Sequence, residues 1–174
     1  MKRIYLYAIV FLVSALLIGC GQEEEVSNQH QTIDFDVIAS EKSLPADFHE
    51  IAFERKEVPF FSYLIKKVEA QSEFENVWKL YGFENEIPNV DFDHQAIVFV
   101  GLQESGSCPN DIKNVTFDAE HGTLFVSLSV PDGNCTSDAT PRTFVLQVDQ
   151  EVAKQIESVQ VLENEVETNV PLDF

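Results

Sequence analysis

The sequence predicts an α+β domain built mainly from antiparallel β-sheet, a sandwich or an open barrel, with one substantial amphipathic helix packed on it. Three observations carry this expectation. Short runs in which apolar and polar residues alternate recur along the chain, the period of a strand with one buried face. The run 96–102 is apolar without alternation, as a strand covered on both faces would be. One stretch near residues 72–82 carries the period of a helix with a single apolar stripe.

The elements follow in order. Residues 32–38 alternate through Ile33, Phe35 and Val37, predicting a strand with those three on its buried face. Residues 40–59 are irregular and contain Pro45 and Pro59, and 60–65 read as a second strand. Ser72 followed by Glu75 has the form of a capping box. Phe74, Val77, Trp78 and Tyr81 then fall at i, i+3, i+4 and i+7, and Gly82 can take the left-handed conformation that ends a helix. The only tryptophan therefore belongs to a packing face. Residues 96–102 form the central strand, and 112–117 with 123–130 form a hairpin across the turn 118–122. In its second arm Leu124, Val126, Leu128 and Val130 share one face. Residues 142–148 alternate through Phe144, Leu146 and Val148, a short helix spans 149–156, and a last strand lies near 159–162.

The N-terminus is of a different kind. Lys2 and Arg3 precede an apolar run over residues 4–18, shorter than the about 20 residues a membrane span needs. It stops at Leu17-Ile18-Gly19-Cys20, which resembles a bacterial lipobox. That resemblance implies a signal peptide over 1–19 and a diacylglyceryl group on Cys20, with the protein tethered to the extracytoplasmic face of a bacterial membrane. Residues 20–31, polar and without apolar period, read as a flexible tether, and 32–174 as one globular domain.

Loss of Lys2 and Arg3 with the leader leaves nine basic residues against thirty acidic ones, a formal charge of −21. Nucleic acid is disfavoured as a partner, because its phosphates would be repelled. With Cys20 lipidated, Cys108 and Cys135 remain, and an even pair in an extracytoplasmic protein reads as a disulfide. Zinc would need two further ligands, and no histidine lies at local spacing from either cysteine. A redox pair would more commonly be Cys-x-x-Cys.

Motifs for chemistry are few. His30, His49, His94 and His121 form no zinc pattern. Asp91 and Asp93 share one side of an extended segment and could hold a cation, although such acids more commonly terminate strands and bind turns. Residues 132–138 look like the start of an EF-hand, but Ser137 and Thr143 stand where that loop needs Gly and Glu. A looser cation site through Asp132, Asn134 and Asp138 stays open. Ser105-Gly106-Ser107-Cys108 is not a nucleophile elbow, and there is neither a phosphate loop nor a dinucleotide fingerprint. No cofactor and no catalytic residue is indicated.

Residues 63–172 resemble the C-terminal domain family of PrcB, a protease-complex subunit. The likeness lies in the order of features: a strand, a Trp-bearing helix, Pro88-Asn89-Val90-Asp91-Phe92, an apolar strand ending at Gly101, a hairpin, and a strand led by Thr140-Pro141-Arg142. Where the family has a Pro-Thr-Gly-Gly-Tyr-like loop, this chain has residues 103–109, in which only Gly106 could correspond. The resemblance implies a non-catalytic subunit that binds or stabilises another extracytoplasmic protein. The candidate surface is the pair of loops 103–109 and 131–141, with Ser105, Gly106, Ser107, Pro109, Asp132, Asn134 and Asp138 as its polar and turn residues. An ion- or small-molecule-binding lipoprotein is the second class of function, and a hydrolase the third.

Overall fold

A computed structural model describes residues 30–131 and 133–172. The leader, Cys20, the tether up to residue 29, and Asp132 lie outside the described residues. In chain order the elements are β1 (Gln31–Thr32), β2 (Phe35–Glu41), α1 (Phe48–Ile51), β3 (Phe53–Glu54), β4 (Ser62–Val68), α2 (Gln71–Leu80), β5 (Gln95–Glu104), β6 (Asp111–Asp118), β7 (Thr123–Ser129), β8 (Thr140–Asp149), α3 (Gln150–Ala153), β9 (Ser158–Glu163) and β10 (Val166–Pro171).

The strands form two five-stranded sheets, ordered β1-β6-β7-β9-β10 and β2-β8-β5-β4-β3. Their facing sides share one core. Ala96, Val98, Val100 and Leu102 of β5 meet Val115, Leu124, Val126, Val159 and Val161 of the other sheet. A second core lies on the outer side of the β5 sheet, where Ile97, Phe99 and Val145 pack under Phe74, Val77, Trp78 and Tyr81. This explains why 96–102 does not alternate: odd and even residues each face an apolar layer. β8 is buried on both sides for the same reason, against the single buried face its alternation suggested. β7 and β9 have one solvated face and alternate cleanly.

Four local expectations are corrected. The strand foreseen over 32–38 is two strands. β1 pairs with β6 and β2 pairs with β8, so the chain crosses between the sheets at Ile33 and Asp34. Ile33 and Phe35 both pack against the inter-sheet core, which is why the alternation runs through the crossing unbroken. A register shift between Val37 and Ala39 then turns Val37 outward, 42% exposed. Second, the helices are short, and the substantial helix expected from residue 72 is the ten-residue α2. Its N-cap position is Ala70, so Ser72 sits inside the first turn and no side chain caps the helix. Its C-terminus ends as expected: Gly82, at φ +73°, lets its own N–H and that of Phe83 turn back to the carbonyls of Lys79 and Trp78. Third, β7 and β9 pair in parallel, so the sheets are not wholly antiparallel. Fourth, the strand near 159–162 is not the last: β10 follows it, joined to β9 by a two-residue turn at Asn164 and Glu165, both with positive φ.

Candidate functional site

One end of the two sheets gathers the chemistry. It holds the C-terminal ends of β5, β7 and β9 and the N-terminal ends of β4, β6, β8 and β10. Cys108 and Cys135 are joined there in a disulfide with their Cα atoms 5.5 Å apart, linking the loop after β5 to the loop before β8.

Around the disulfide the two loops form a clasp. Residues 105–108 make a tight turn, with the N–H of Cys108 donating to the Ser105 carbonyl at 3.2 Å. The Thr136 N–H donates to Ser107 Oγ at 2.9 Å, and Ser105 Oγ and Thr136 Oγ1 are 3.1 Å apart. Asp138 closes the arrangement: its Oδ1 accepts from the Gly106 N–H at 3.1 Å and from the Thr136 hydroxyl, and its Oδ2 from the Thr140 hydroxyl at 3.2 Å. The Thr136 hydroxyl, followed by the Gly106 N–H, holds the Asp138 carboxyl below the usual carboxylate range. Gly106 leaves room for Asp138 Oδ2, which a Cβ at this position would displace from its place in the clasp. Of the residues singled out in the sequence, Ser105, Gly106, Ser107 and Asp138 thus meet in one clasp. Pro109 and Asn134 are exposed beside it.

Beneath the clasp lies a polar network. Arg142 donates through Nε (2.9 Å) and Nη2 (2.8 Å) to Glu104 Oε1, and Glu104 Oε2 accepts from the Asn110 N–H at 2.7 Å. Asn110 Nδ2 donates to Glu163 Oε1 at 2.8 Å, and the Tyr63 hydroxyl donates to Glu163 Oε2 at 2.8 Å. Glu104 and Glu163 are only 4% and 7% exposed. Burial first, then the charge of Glu163, pushes the Tyr63 hydroxyl well above its ordinary value, so Tyr63 stays a proton donor. The network plugs the open end of the inter-sheet core with matched donors and acceptors, the condition for burying such groups.

Above it opens a groove of about 430 Å³, lined by Phe60, Phe61, Glu104, Asn110, Asp138 and Glu163 among others. Phe60 is 62% exposed at its edge. Tyr63, Asn110, Arg142 and Glu163 lie outside the candidate loops read from the sequence, and Glu104 lies within loop 103–109 without a role of its own. A signal was nevertheless present. Glu104 continues the inward parity of Val98, Val100 and Leu102, Glu163 that of Val159 and Val161, and Arg142 that of Phe144 and Leu146. A charged residue in phase with a core-facing row requires a partner.

Among the described residues, the candidate cation ligands Asp91 and Asp93 lie at the N-terminal end of β5, away from Asn134 and Asp138 at its C-terminal end. Asp91 and Asp93 lie beside a turn, where Asp91 Oδ1 accepts from the Asp93 N–H at 3.1 Å and Asp91 Oδ2 pairs with His94 Nδ1 at 2.8 Å. The hydrogen bond to His94 lowers the Asp91 pKa, and the same bond raises that of His94. Of the looser set, Asp132 lies outside the described residues, Asn134 is exposed and Asp138 is engaged in the clasp. Among the described residues, no group of three or more His, Cys, Asp or Glu side chains is placed to hold a metal ion.

The chain enters at the opposite end. Gln31 pairs with Phe117 and Thr32 with Thr116, next to the β6–β7 hairpin, and His30 stacks on Phe125 at 4.1 Å. The ten residues of β5 separate the two ends by about 30 Å. Compared with known proteins, the chain matches no family model, no curated protein and no solved structure.

Proposed function

We propose that the protein is a lipid-tethered extracytoplasmic module that binds or stabilises another envelope protein through its disulfide-clasped loops. One observation carries the reading: the clasp and groove lie at the sheet end opposite the point where the chain enters at residue 30. A diacylglyceryl group on Cys20 followed by about ten residues of flexible tether, reaching at most about 35 Å, leaves that end free to face away from the membrane and meet a partner. The scaffold beneath is two packed sheets with the short helices α1 and α2 over the outer side of one of them, and rigid scaffolds carrying ordered loops are where binding sites concentrate. The likeness of residues 63–172 to the PrcB C-terminal domain family supports a partner in a protease complex.

The test is chemical cross-linking of the full chain in intact source cells, followed by capture and mass spectrometry. The expected result is one dominant envelope protein, lost in Ser137→Arg, which alters an exposed groove residue outside the clasp hydrogen bonds. Equal capture by Ser137→Arg, or no specific protein across growth conditions, overturns the proposal.

A further inference from the structure

We infer that the groove at the disulfide end takes a basic, extended segment of the partner protein, with a lysine or arginine side chain directed at Glu163; this rests on the protein-binding reading above. Glu163 lies in the floor of the groove and is 7% exposed. Both of its oxygens accept hydrogen bonds, and both donors, Asn110 Nδ2 and the Tyr63 hydroxyl, are neutral. Among the described residues, no lysine, arginine or histidine nitrogen lies within 4.0 Å of it. Its neighbour Glu104 is different, because Arg142 supplies a two-pronged countercharge. Arg55 acts electrostatically on the Tyr63 hydroxyl but makes its ion pair with Glu57, at 3.7 Å. A buried carboxylate held only by neutral donors is stabilised by a cation arriving from outside.

The rest of the lining fits a basic side chain. It holds Glu104, Asp138 and Glu163 and, among the described residues, no lysine or arginine. Phe60 and Phe61 form an aromatic wall that can cover the alkyl stem of a lysine or stack on a guanidinium. At about 430 Å³ the groove is too wide for a bare ion, and its carboxylates are spread along it rather than gathered into a cage. The formal charge of −19 over the whole chain attracts basic segments to the protein and repels acidic ones.

The experiment uses the full chain in detergent micelles against an array of decapeptides, each carrying one lysine or arginine, and the same peptides with norleucine or citrulline in its place. The expected result is retention on the basic members, with at least about a tenfold loss for the neutral replacements. Glu163→Gln should lose retention by a similar factor, because glutamine can accept from Asn110 and donate to Tyr63 while removing the charge. Phe60→Ser, at an exposed position, should weaken retention with an unchanged melting temperature. Three results would each overturn the inference: equal retention of the neutral peptides, no retention of any basic peptide, or undiminished retention by a folded Glu163→Gln. If loop-dependent capture in cells persists alongside any of these, only the basic segment fails. If that capture is also absent, the protein-binding reading fails with it.

Discussion

Glu104 shows how much one side chain can decide at this end of the fold. It accepts two hydrogen bonds from Arg142 and one from the Asn110 N–H while almost wholly buried. Glu104→Ala leaves a partly buried guanidinium without its countercharge and a buried N–H without an acceptor. The expected loss is about 3–5 kcal/mol, measured by urea unfolding. Asp138 is exposed and acts differently. Its pKa is lowered in the folded protein, so the stability it lends the clasp is present above its ordinary pKa and is lost as pH falls through the lower folded value. Phosphine reduction of the Cys108–Cys135 disulfide, with the reagent's own pH dependence subtracted, should accelerate as pH falls below about 4. Asp138→Asn should remove that acceleration; an unchanged profile would detach Asp138 from the clasp.

At the scale of elements, two short helices make a contrast that the residues alone would reverse. Ser72 and Glu75 have the form of a capping box, yet α2 begins two residues earlier than that box requires, with Ala70 at its N-cap. Asp149 precedes a four-residue helix and does cap it, accepting from the N–H groups of Glu151 (2.8 Å) and Val152 (3.2 Å). Ser72→Ala should therefore leave stability within about 0.5 kcal/mol, whereas Asp149→Ala should cost about 1 kcal/mol. Thermal unfolding of the two variants checks both, and a loss of about 1 kcal/mol at Ser72 would restore the capping box. What holds α2 is its packing: Phe74, Val77 and Trp78 are buried, and the Trp78 and Phe83 rings lie 4.4 Å apart. That apolar stripe was legible from spacing. The exact start was not, because a helix end shifts by one or two residues for less free energy than the packed face contributes.

At the scale of the whole molecule, the disulfide ties together two loops that belong to neighbouring strands of one sheet, β5 and β8. The closed loop spans 27 residues, and its reduction should cost about 3–4 kcal/mol on a chain-entropy account. Urea unfolding of the chain with and without reductant measures it, and intact mass should rise by two hydrogens on reduction. An unchanged midpoint would show that the clasp hydrogen bonds and the network below hold the loops without the covalent link.

Much of this was open to reading from the residues one at a time. Period-two runs located most of the strands, the non-alternating run 96–102 marked the strand covered on both faces, and the even cysteine pair indicated its own bond. Those features depend on neighbours along the chain or on counting. β10 was missed because its turn is Asn164-Glu165 rather than the Asn-Gly that announces a two-residue hairpin. The crossing at Ile33 and Asp34 was missed because one shared core accepts the same alternation from either sheet. The sequence by itself determined most of the inward-facing rows, though not Val37 or the second buried face of β8, and where the chain can be stapled. Only the tertiary structure decided that Tyr63, Glu104, Asn110 and Glu163 meet under the disulfide. Tyr63 and Glu163 stand 100 residues apart, and their meeting follows from how two sheets are ordered and aligned, which no local period encodes.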